Sequence, residues 1–197
     1  MSTEITERQQ EIINVSLDLI AESGIQSLTI KNLAKKIGFA ESAIYRHYDN
    51  KIQILLAILD FFKQNTEPLF TNQLNSQENA LIKIENLFYS HFEKFSTSPS
   101  LVPVIFSEEI FRNEIELTEK VKEIMNKNTK ILKTIIELGQ KNGEIRNDID
   151  VSHLSVMIMG SLRIFIKQWY MSDYKFNLIE KGSELINSIK IMIKEQN

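Results

Sequence analysis

The chain has 197 residues, 43% of them apolar and 25% charged, with a formal net charge of −3. That is enough sequence for one large domain or two small ones, and enough apolar content to bury a core. It contains no cysteine, which excludes disulfides and thiolate metal sites and fits a reducing, cytoplasmic setting.

The start, MSTEITERQQ, is polar and holds no leader-type apolar core. Glycine and proline number only six and three, and helical spacing recurs along almost the whole chain. Ile12, Val15, Leu19 and Ile20 form a first stripe that Gly24 closes. Thr29 is placed to cap a second helix carrying Ile30, Leu33, Ala34 and Ile37, and Gly38 ends it. After a short third helix, Asp49 in "DNK" is the expected cap of a fourth, with Ile52, Leu55, Leu56, Leu59 and Phe62. "NTEP" (65–68) and "LNSQ" (74–77) are read as the next junction, followed by a stripe of Leu81, Ile84, Phe88, Phe92 and Phe95. "SPSLVP" (98–103) reads as irregular. Val121, Met125, Leu132, Ile135 and Leu138 then form a stripe that stops at Gly143. Asp150 caps a helix near 151–172, and Ile179, Gly182, Ile186, Ile189 and Ile193 mark a last one near 176–195. The longest apolar stretch, 154–166, is broken by Arg163 and too short for a membrane span. The expected fold class is all-α. Residues 1–51 would form a three-helix head and residues 52–197 a larger helical domain, with a fourth helix from about 50 linking them.

The second and third helices, joined at "IGFA", have the layout of a helix-turn-helix. Residues 29–51 hold Lys31, Lys35, Lys36, Arg46 and Lys51 against Glu41 and Asp49, a net +3 on an acidic chain. Such a local patch is the electrostatic footprint of a nucleic-acid contact. Within "GFAESAIYRHYDNK" (38–51), Glu41, Ser42 and Ala43 are short enough to lead a helix into the major groove. Ile44 and Tyr48, four apart, would pack that helix onto the head. Tyr45, Arg46 and His47 then lie near backbone phosphates. Lys51 opens the next helix, whose free N–H groups favour an anion.

"TIKNLAKKIGFAESAIYRHYDNKIQIL" (29–55) resembles the DNA-binding signature of the TetR family, the tetracycline-repressor-like transcriptional regulators. Thr29, the Leu33-Ala34 pair, Gly38, the Ile44-Tyr45 pair, His47, Tyr48 and Lys51 carry the likeness, and "IINVSLDLIAESG" (12–24) resembles the family's first helix. The resemblance implies phosphate contacts at Thr29, Tyr45, His47 and Lys51, and base reading around Lys31, Glu41, Ser42 and Ala43. Ala40 departs from the serine or threonine that often caps the family's recognition helix, a loss of about 1 kcal/mol locally. Glu41 has two readings, as an acceptor for cytosine N4 or as a complement to the helix N-terminus.

Other chemistries find little footing. His47, His91 and His153 lie far apart and have no zinc-type spacing. No phosphate loop, nucleophile elbow or dinucleotide fingerprint is present. The expectation is therefore no enzyme, no metal and no cofactor. The rival reading, a helical protein–protein interaction module without DNA binding, leaves the cation cluster at 29–51 unexplained.

The resemblance further implies a homodimer on a partly palindromic double-stranded DNA operator, most simply as a repressor released by a small-molecule effector. The last two helices are the expected dimer interface. Ile179, Gly182, Ile186, Ile189 and Ile193 make a 3-4-3-4 seam, and Gly160 and Gly182 would let backbones come close. That seam can also pack within its own chain. For a mainly apolar effector the candidates are Phe88, Phe92, Phe95, Phe106, Phe111, Met157, Phe165 and Trp169, with His91 and Arg163 as orienting polar groups. The competing reading makes the aromatics core, His91 a partner of a backbone carbonyl and Arg163 half of an ion pair.

Overall fold

Side chains at the helix ends set the local structure. The computed structural model describes residues 5–106 and 114–195. The first helix, α1 (Glu7–Ser23), opens on a capping box in which the Thr6 side chain accepts from the Gln9 N–H and Gln9 Oε1 accepts from the Thr6 N–H at 3.0 Å. A 3-10 turn leads to α2 (Ile30–Ile37), whose cap Thr29 accepts from the Asn32 N–H. Gly38 ends α2 at φ 85°, a left-handed conformation that glycine adopts without a Cβ penalty. The short α3 (Glu41–Tyr45) begins at Ala40 with no side-chain cap. There follow α4 (Lys51–Asn75), α5 (Ala80–Thr97), α6 (Val102–Ile105), α7 (Ile115–Lys141), α8 (Val151–Met171) and α9 (Leu178–Ile193). The fold is all-α; among the described residues the one extended pairing is an isolated bridge between Ile145 and Lys194.

Three local expectations change. Asn50, not Asp49, caps α4: its Oδ1 accepts from the Ile52 and Gln53 N–H groups, while Asp49 pairs with the Gln53 side chain. "NTEP" is no junction, because α4 runs straight through it with Pro68 in its interior. Proline there removes one backbone hydrogen bond, and the helix is kept by burial of Ile54, Ile58, Phe62, Thr66 and Phe70 on one face. On α7 the inward stripe is Leu117, Ile124, Asn128, Leu132 and Ile135, whereas Met125 and Leu138 face outward.

The chain forms two compact units, Met1–Phe62 with Pro99–Val121 and Lys63–Ser98 with Lys122–Asn197, so neither is one consecutive stretch. In the first, α1 packs on α2 and on the segment 99–105 around Ile12, Ile13, Ile20, Leu28, Leu33 and Ile44. In the second, α9 runs antiparallel along α5. Lys190 pairs with Glu85 at 2.6 Å, and the Tyr89 hydroxyl donates to Ser183 Oγ at 2.8 Å. At Gly182 the two helices approach so closely that a Cβ would stand 2.2 Å from the Phe92 ring.

That geometry corrects the expected dimer seam. Gly182, Ile186, Ile189 and Ile193 are buried within their own chain, so they serve the α5–α9 contact and leave no surface for a partner. Gly160 differs, being exposed with open space around its Cα. Helices α4 and α7 run parallel, joined by the ion pairs Asp60–Lys120, Lys63–Glu123 and Glu67–Lys127.

Candidate functional site

The head presents the expected DNA-facing residues outward. Thr29, Lys31, Glu41, Ser42, Tyr45, Arg46 and Lys51 are exposed, and Ala43 and His47 are half-buried. Ile44 is fully buried and Tyr48 nearly so, anchoring α3 on the head while Tyr45 keeps 50% of its surface free. Burial also pushes the Tyr48 phenol pKa up, keeping it neutral. The turn before α3 is held by Arg8, whose guanidinium stands 4.4 Å above the Phe39 ring, a brace from α1 that spacing alone does not reveal.

Two details differ from expectation. Lys36 is tied to Glu22, so the cations of the patch that carry no ion pair among the described residues are Lys31, Lys35, Arg46 and Lys51. The α4 N-terminus offers a phosphate less than a free helix end would, because Asn50 already takes two of its N–H groups. Nothing in the sequence pattern distinguishes Asn50 from Asp49 as the cap, since both are favoured there.

The effector candidates do not form one cluster. Phe88 and Phe92 meet edge to face at 5.8 Å in the α5–α9 core, and Phe165 reaches Phe92 at 5.9 Å and Phe176 at 5.5 Å. Trp169 is buried, donates Nε1–H to the Phe176 carbonyl at 3.0 Å and lies 4.7 Å from the Tyr174 ring. Met157, with 49% of its surface exposed, faces away from this core, a correction that follows from its place on the outer side of α8. Phe106 ends α6 in the other unit. Phe111 lies outside the described residues. Arg163 is half-buried on α8.

His91 is buried on α5, with Nδ1 2.7 Å from the Leu87 carbonyl and its ring edge-on to Phe70 at 5.5 Å. Burial lowers its pKa from the ordinary 6.5 and outweighs the Leu87 bond, which acts the other way. The neutral imidazole therefore donates through Nδ1 and leaves Nε2 as an acceptor. Because the unfolded chain takes up this proton more readily, stability is full above about pH 6.5 and declines below it. The lowered carboxyls Asp148 and Asp150 titrate below their ordinary 3.8, in a separate range. The melting temperature should thus fall between pH 7.5 and pH 5.5, and His91→Gln should flatten that decline; an unchanged slope would place the titration elsewhere.

Two family models divide the chain between them. Residues 12–58 match the model for bacterial regulatory proteins of the tetR family, and residues 64–192 match that for the C-terminal region of YsiA-like proteins. The chain is a TetR-family transcriptional regulator. The regulator is 25% identical, over 91% of its length and 92% of the relative's, to the fatty acid metabolism regulator protein of Bacillus subtilis. Its fold matches the fatty acid degradation regulator FadR from Bacillus halodurans with a TM-score of 0.84, at 21% identity and covering 95% and 97% of the two chains. It also matches FadR from Bacillus subtilis in complex with stearoyl-CoA, with a TM-score of 0.76 at 24% identity, covering 91% and 96%. Like these TetR-family relatives, it is a DNA-binding regulator with an N-terminal helix-turn-helix. No helix among its described residues is long and apolar enough to cross a membrane.

Proposed function

We propose that this regulator represses transcription as a homodimer on a two-fold operator, and that a long-chain acyl-CoA releases it. It acts in the cytoplasm and has no catalytic role. Residues 1–51 read the DNA; residues 52–197 carry the dimer and effector functions. The observation that carries the DNA half of this reading is the head itself. Cations, a phenol and short polar side chains stand exposed on α2, α3 and the start of α4 around the buried Ile44 and Tyr48. In this arrangement Tyr45, Arg46, His47, Lys51 and Thr29 hold phosphates, and Lys31, Glu41, Ser42 and Ala43 face base edges.

One recognition helix reads too few base pairs for a useful specificity ratio, which calls for a pair of heads. The dimer surface is the outer stripe of α8: Met157, Gly160, Ile164 and Met171, flanked by Val156. Val156, Ile164 and Met171 keep 69%, 55% and 72% of their surface exposed, and such contiguous apolar exposure marks an interface. The effector class rests on the relatives concerned with fatty acids and on the stearoyl-CoA held by one of them. A chain of that kind suits a unit rich in buried Phe, Ile and Leu with few polar groups.

The test is fluorescence anisotropy with the regulator's own promoter DNA. Saturable binding that hexadecanoyl-CoA reverses supports both halves, and Trp169, the single tryptophan, should report the same ligand by its emission. DNA binding that survives saturating acyl-CoA would remove the effector half, and failure to outlast heparin competition would remove the operator half. Lys51→Ala and Tyr45→Phe should weaken all sequences alike. Lys51→Ala should also reduce the salt slope by about one unit. Substitutions at Ser42 or Ala43 should instead change the preferred bases. Equal loss of sequence preference in both groups would overturn this docking geometry.

A further inference from the structure

Asn128 stands out on α7. It sits on the inward stripe between Ile124 and Leu132, keeps only 7% of its surface exposed, and makes no hydrogen bond among the described residues. The one fully enclosed, unbonded side-chain polar atom among those residues is Glu195 Oε2, so the amide atoms of Asn128 still touch accessible space. A buried amide without a partner opposes folding. Leucine would fill the same helical position at no such penalty, so the amide has a use other than packing.

Its level in the bundle follows from the ion pairs between α4 and α7. Lys63–Glu123 and Glu67–Lys127 fix the parallel register and set Asn128 between the levels of Thr66 and Phe70. Phe70 is the residue whose ring meets His91 on α5. The polar groups of two different helices thus come near one level of the bundle, which also holds the buried Thr66 of α4. His91 Nε2 can only accept there, whereas the Asn128 amide supplies a donor.

We propose that Asn128 is the residue with which the regulator recognises the thioester carbonyl of its effector, its amide N–H donating to that oxygen while the acyl chain lies along the apolar stripe beside it. This rests on the acyl-CoA reading given above. A neutral donor suits a neutral carbonyl; a free fatty-acid carboxylate would call for a cation, which neither Asn128 nor the neutral His91 provides.

The test compares hexadecanoyl-CoA with its S-hexadecyl thioether, in which a methylene replaces the carbonyl, by calorimetry on the full-length protein. The wild type should bind the thioester roughly tenfold more tightly. Asn128→Leu should bind both ligands alike, near the wild-type affinity for the thioether, and melt a few degrees higher as the unmatched amide is removed. Asn128→Asp, which keeps the shape and loses the donor, should also lose the preference. If Asn128→Leu keeps the tenfold preference, or weakens both ligands equally, the proposal is overturned and the acyl-CoA reading stands. If the wild type binds neither ligand, the effector reading itself fails and takes this proposal with it.

Discussion

A regulator carrying Met157→Glu and Ile164→Glu is expected to sediment as a folded monomer and to lose roughly 10²–10⁴-fold in operator affinity. Both side chains are about half exposed on α8, so a charge there stays in water in the monomer and is desolvated only against a partner. The melting temperature of the monomer should depend little on protein concentration, unlike that of the wild type. The same substitution at Ile186 or Ile189 should behave quite differently. These residues are 0% and 4% exposed, and a buried glutamate without a counter-charge costs on the order of 4 kcal/mol or more. Those variants should aggregate or unfold rather than yield clean monomers. An intact dimer with Met157→Glu and Ile164→Glu would rule out the α8 surface as the interface.

Gly182→Val should strongly destabilise the second unit by overpacking it. An added Cβ would lie 2.2, 2.4 and 2.8 Å from three carbons of the Phe92 ring. Phe92 is itself fully buried and locked edge-on to Phe88, so the ring has little room to withdraw. Overpacking of this kind costs about 3 kcal/mol, which for a protein of this size lowers the melting point by roughly 6–12 °C. Phe92→Leu should restore part of the loss when combined with Gly182→Val, although it destabilises alone. A double-mutant cycle measures that coupling. Additive losses would mean the strain is relieved somewhere other than the Phe92 ring.

These two cases also show what could be read from residue order and what could not. The 4-3-4 spacing at 182, 186, 189 and 193 correctly announces a helix with a packed seam, but periodicity is silent on whether the partner is the same chain. The partner is α5, identified only by Phe92, Glu85 and Tyr89 reaching across. The true outer stripe of α8 was hidden because Met157, Ile164 and Met171 sit in a helix that is apolar on nearly every side. Around the head the reading was far more complete. Glycine in a left-handed turn, a threonine cap and a buried Ile44 within a cationic stretch are local signals that tertiary context does not override. Asn128 lay at the opposite extreme. It falls in the polar run "NKNTK", where only the register against α4 shows that one asparagine turns inward.

The row of ion pairs between α4 and α7 has a mechanical consequence. Charges alternate along it, negative, positive, negative on α4 against positive, negative, positive on α7. A slip of one helical turn, about 5.4 Å, would face Asp60 with Glu123 and Lys63 with Lys127, exchanging attraction for repulsion at successive rungs. The observed register is the one in which all three rungs attract, and because each pair is partly exposed and contributes at most about 1 kcal/mol, the row biases the helices toward this depth.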